Sequence, residues 1–67
     1  MKARRLDTQI LRATEVGQIY TVGALSETLR RNHHEVVGAM SRLKMSGYFE
    51  VLTIGNSLEY LRQEGGQ

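Results

Sequence analysis

Arg30 and Arg31 stand immediately before Asn32, and Glu35 follows Asn32 at the third position. Asparagine at a helix start accepts from free backbone N–H groups, and a glutamate three residues on reaches back to the cap's own N–H. The spacing therefore predicts a helix that starts from Asn32 and covers 33–46. An arginine pair at that point lies beside the positive end of the helix, where guanidinium forks and unpaired N–H groups both favour an anion such as phosphate. The plainer reading is two arginines that only solubilise a turn. Along the expected helix, Val36, Met40 and Leu43 form a buried stripe with Val37 beside it. His34, Gly38, Ser41, Arg42 and Met45 are left on the opposite side. Arg42 carries the donor fork that reads guanine in a major groove, and His34 or Ser41 could touch bases or phosphates. Gly38 costs about 1 kcal/mol of helix propensity relative to alanine. Close approach of a nucleic-acid backbone, of another helix, or of the domain's own packing would each explain it.

Other chemistry is thinly supported. His33 and His34 are adjacent, diverge by about 100° on a helix, and have no histidine or cysteine at the spacing a metal site needs. They are read as surface or groove-facing side chains, with no metal and no cofactor expected. A protonated imidazole would add positive charge to a nucleic-acid site, so tighter binding at pH 6 than at pH 8 is expected. The four serines and several carboxylates form no nucleophile elbow, phosphate loop or ligand cluster, so no catalytic residue is assigned and no enzyme is expected. Lys2, Arg4 and Arg5 make a basic arm over 1–5, either entering a minor groove or simply solvated.

The elements that must position these residues follow from periodicity. Asp7 is expected to cap a helix carrying Ile10, Leu11 and Thr14 on one face, with Leu6 before it as a staple and Gly17 at its end. Gln18 to Tyr20 suffices for a single bridge rung. Thr21 is a good cap for a second helix, Val22 to Leu29, burying Val22, Leu25 and Leu29. Gly47 stands where a left-handed residue closes the third helix. From Tyr48 the period falls to two, and Gly55-Asn56 supplies a two-residue reversal. If Ile54 faces Ser57, Val51 pairs with Tyr60 and Thr53 with Leu58, which puts Phe49, Val51, Leu58 and Tyr60 on the core side. Residues 63–67 are expected to fray as a flexible tail.

Composition bounds the result. The 67 residues carry nine Lys or Arg against seven Asp or Glu, a net charge of +2, with 40% hydrophobic residues and no cysteine. That is a single small globular domain, with a thin core and too few residues to wall a deep pocket. Disulfide frameworks and thiolate metal sites are excluded. Short apolar runs argue against a membrane span or signal-peptide core, so a cytoplasmic location is expected.

The order helix, bridge, helix, three-residue turn, helix, hairpin resembles the winged helix-turn-helix superfamily over about residues 6 to 62. The resemblance rests on Thr21-Val22-x-x-Leu25-x-x-x-Leu29, Val36-x-x-x-Met40-x-x-Leu43 and Gly47-Tyr48-Phe49-Glu50-Val51. It implies an α+β domain of three helices followed by a two-stranded β-hairpin wing, with the third helix in the major groove of double-stranded DNA. His33-His34-Glu35-Val36-Val37-Gly38-Ala39 is also similar to the winged helix at the start of the alpha subunit of eukaryotic-type phenylalanyl-tRNA synthetases. The DNA-binding set then expected is Arg30, Arg31, Asn32, His33, His34, Gly38, Ser41 and Arg42, with Arg4 and Arg5 from the arm.

The hairpin complicates that picture. Its tip, Thr53 to Ser57, has no lysine or arginine, while Leu52, Ile54 and Leu61 fall on its second face. An apolar second face suggests a partner surface, most simply a second copy in a homodimer. The expectation is a small dimeric transcriptional regulator. The alternatives are a module that docks on another protein through the hairpin, and a structured-RNA binder.

Overall fold

The computed structural model describes residues 5–55 and 57–65, without the side chains of Ile54 and Ser57. Lys2, Arg4 and Asn56, and with them most of the expected basic arm, lie outside the described residues. The domain has three helices and a three-stranded antiparallel sheet in the order helix, strand, helix, helix, strand, strand.

Helix α1 spans Arg5–Ala13 and buries Leu6 and Ile10, one turn apart on one face. Arg5 therefore belongs to this helix and not to an arm. Asp7 does not cap it: Asp7 sits within the first turn and is buried. The helix also stops well before Gly17. Thr14, the next residue, donates from Oγ1 to the Ile10 carbonyl at 2.8 Å and accepts from Arg62 Nε at 3.0 Å. Thr14 is thus tied to the final strand at the point where the helix stops. Gly17 turns the chain at φ +91°, and its N–H donates to the Arg62 carbonyl at 2.9 Å. Tyr20 closes the same loop by accepting the Glu15 N–H on its hydroxyl at 2.8 Å.

Strand β1 is the two residues Ile19–Tyr20. Helix α2, Val22–Leu29, starts from Thr21, whose Oγ1 accepts the Ala24 N–H at 3.1 Å. It ends on Arg30 at φ 55°, with Arg31 N–H bonded to Ser26 O at 3.0 Å and Arg30 N–H to Glu27 O at 3.3 Å. This is the left-handed closure usually given to glycine. Helix α3, His33–Met45, carries the reciprocal cap: Asn32 Oδ1 accepts from His34 N–H at 2.8 Å and Glu35 Oε1 from Asn32 N–H at 3.3 Å. Gly47, at φ +88°, closes it.

Strands β2, Phe49–Ile54, and β3, Ser57–Arg62, pair in the register set by the Gly55 turn, with Val51 opposite Tyr60 and Thr53 opposite Leu58. The sheet is not a bare hairpin, however. β1 pairs with β3 through Ile19–Leu61 and Tyr20–Tyr60, giving the order β1-β3-β2 with β3 in the centre.

The core is Leu6, Ile10, Val22, Leu25, Val36, Ala39, Met40, Leu43, Phe49 and Tyr60. Burying one such aliphatic or aromatic side chain contributes roughly 1.5–3 kcal/mol. Phe49 and Tyr60 meet edge to face at 6.2 Å. Leu58 was expected inside with them, but it is 50% exposed. It lies next to the turn, at the edge of an open depression between β3 and the starts of α2 and α3. The expected frayed tail is anchored at its start: Gln63 N–H donates to Tyr48 O at 2.8 Å and its side chain to Glu50 at 2.9 Å. Gly65 then lies so close to the Tyr48 ring that a Cβ would overlap it.

Candidate functional site

Helix α3 is held from one side only. Val36, Ala39, Met40 and Leu43 face the core, while His33, His34, Val37, Ser41, Lys44 and Met45 are exposed. Two depressions flank the helix start. The larger, about 430 Å³, lies between Thr21 and Gly23 on α2, His33 and Val37 on α3, and Leu58 and Tyr60 on β3. The smaller, about 220 Å³, lies between Leu6 on α1 and His34, Glu35, Gly38 and Arg42 on α3. The two imidazoles stand at right angles, 6.4 Å apart, each lining a different depression. Among the described residues no three histidines or carboxylates gather as metal ligands.

Arg42 is bound on one edge. Its Nε donates to Asp7 Oδ2 at 3.1 Å and its Nη2 to Asp7 Oδ1 at 2.7 Å. The Asp7 carboxyl is 10% exposed and the Arg42 side chain 39%. The hydrogen bond from Arg42 to Asp7 is the largest influence on the guanidinium, holding its pKa above the ordinary arginine value. Partial burial opposes that rise and the Coulomb attraction of Asp7 adds to it. The fork expected to read bases therefore clamps α3 to α1, with both N–H groups of Nη1 and one of Nη2 left over.

The other expected residues are spread around α3. Arg30 is exposed on the left-handed turn, and Arg31 is half-buried with its Nε enclosed and unpaired. Asn32 is committed to the helix cap. Arg5 is exposed at the start of α1, while Arg4 lies outside the described residues. Leu52 and Leu61 are half-buried, and the side chain of Ile54 lies outside the described residues. Arg62 turns inward, bonded to Thr14 and stacked 5.5 Å from the Tyr48 ring and 5.8 Å from the Phe49 ring. The exposed apolar side chains instead include Val37 at 42%, Leu58 at 50% and Met45 at 86%. The excess of positive charge rests on Lys2 and Arg4, because basic and acidic side chains balance among the described residues.

Three residues carried too little sequence signal to be placed on this surface. Asp7 fits a helix cap as well as an ion pair. Gly23 is one unremarked position in a short helix. Leu58 matches the alternation of a buried strand.

No family model, curated protein or solved structure matches this chain. No helix among the described residues is long and apolar enough to cross a membrane.

Proposed function

We propose that the chain is a winged helix-turn-helix protein that binds double-stranded DNA, with α3 as the element laid in the major groove, and that it serves as a small transcriptional regulator. One observation carries the reading. α3 follows α2 after a three-residue turn, His34, Ser41 and Lys44 are exposed along it, and a β-hairpin follows it in the chain. A helix of this width fits a major groove only where no other element covers it. Arg30 and Arg31 flank its start and supply phosphate contacts, joined by Lys2 and Arg4. Base contact falls to His34 and Ser41. Dimerisation through Leu52 and Leu61 has weaker support, since both are half-buried, and sedimentation velocity on the purified chain decides it.

The test is fluorescence anisotropy with random-sequence duplex at about 50 and 200 mM salt. Affinity that falls steeply with salt supports the reading, and absence of binding at the lower salt overturns it.

A second reading, docking on another protein, is favoured by a separate observation. The charge balance of the described domain is even, and the larger depression is edged by the exposed Val37 and Leu58. Binding of an apolar peptide there, with no duplex affinity, is the outcome that selects it.

A further inference from the structure

His34, Gly38 and Arg42 follow one another at four-residue spacing on α3, so they stack along one stripe of the helix. The glycine in the middle leaves a notch between an imidazole and a guanidinium, walled on the α1 side by Leu6. Packing within the domain does not require it: a Cβ on Gly38 would meet only Arg42 Nη1, at an ordinary 3.6 Å. A residue unfavourable to the helix is thus kept where alanine would fit.

Arg42 explains what the notch can hold. Asp7 takes Nε and Nη2, which fixes the plane of the guanidinium and leaves Nη1 over the bare backbone of Gly38. Both N–H donors of Nη1 and the outer one of Nη2 are left over, and Nη1 is the nitrogen nearest the notch. A phosphate oxygen needs a single charged N–H donor and space to approach it. Two carboxylates lie nearby. Asp7 is paired with Arg42 on the edge away from Nη1, and Glu35, at the rim, accepts the Asn32 N–H at 3.3 Å.

We propose that the His34–Gly38–Arg42 notch seats one phosphate of a nucleic-acid backbone, Arg42 Nη1 donating to it and Gly38 giving it room. The assignment rests on the DNA-binding reading above and gives Arg42 a phosphate contact that fixes helix register along the duplex. Asp7 becomes a positioning residue, since it aims the guanidinium without touching the ligand.

The experiment compares the full chain with Gly38→Ala and Gly38→Leu in duplex anisotropy across a salt series, with thermal melting by circular dichroism. Both variants are expected to melt at or above the unaltered protein. Affinity at low salt should fall about threefold for alanine and roughly tenfold or more for leucine, the scale of one lost charge-assisted hydrogen bond. The salt slope of each protomer should shrink by about 0.9, the counterions of one phosphate. If the unaltered protein binds duplex and both variants match it in affinity and slope, the notch is overturned while the DNA reading stands. If the unaltered protein binds no duplex, both fall together. A melting temperature for Gly38→Ala below that of the unaltered protein would make the glycine a packing residue and also overturn the proposal.

Discussion

Asp7 on α1 and Arg42 on α3 meet across 35 positions of sequence through two parallel hydrogen bonds of 3.1 and 2.7 Å. The carboxylate is nearly enclosed while the guanidinium is partly wet. Removing either partner is therefore asymmetric. Arg42→Ala strands a buried acid, whereas Asp7→Asn leaves a cation that water can still reach. We expect Arg42→Ala to cost about 1–2 kcal/mol after allowing for solvent screening, and Asp7→Asn less, as read by urea denaturation. Because Arg42 holds its proton above the ordinary arginine value, its share of stability is lost only at higher pH still. The stability gap between the unaltered protein and Asp7→Asn should accordingly stay constant from pH 7 to pH 10. A gap that closes within that range would show that another group carries the effect.

Arg30 is the only non-glycine residue with positive φ among the described residues, at 55°. A side chain in that conformation costs about 1 kcal/mol relative to glycine. Arg30→Gly should raise the melting temperature while weakening duplex affinity, because it removes a phosphate-facing charge. Equal duplex affinity in this variant would release Arg30 from the interface.

Leu58 and Tyr60 are neighbours on one face of β3 with opposite fates, 50% and 7% exposed. Leu58→Glu should change folding free energy by no more than about 0.5 kcal/mol. Tyr60→Ala removes a ring packed on Phe49 and should cost about 3 kcal/mol or more, enough to unfold much of so small a domain. Leu58→Glu also separates the two functional readings, since it should abolish docking on an apolar partner and leave the α3 face intact.

The two helix caps give a fourth stability check. Thr21→Ala and Asn32→Ala each lose a side-chain acceptor for a backbone N–H, seen at 3.1 and 2.8 Å. Each should cost about 1 kcal/mol, and because the caps serve different helices the losses should add in the double variant.

What could be read from the sequence was local. The Asn32–Glu35 cap, the Gly47 closure and the register around Gly55 are each fixed within six residues, where spacing alone decides which groups can meet. The Asp7–Arg42 clamp, the pairing of Tyr20 with Tyr60 and the anchoring of Gln63 on Tyr48 join distant positions, and no periodicity announces them. Asp7 shows the difficulty well: an acid near a helix start is equally suited to a cap, a dipole partner or a long-range ion pair. Leu58 failed for a related reason. Alternation marks which face of a strand a residue occupies but not whether the facing helices close over it, and here a depression stays open between them.

The central place of β3 governs how the chain comes together during synthesis. Ile19 and Tyr20 have their strand partners at Leu61 and Tyr60, so β1 finds no neighbour until the final strand leaves the ribosome. Before that moment neither edge of the sheet exists, and the helices lack the Phe49–Tyr60 floor on which they rest. The domain is therefore expected to fold in one late, cooperative step after translation of β3, with no stable nascent intermediate for a protease or chaperone to recognise.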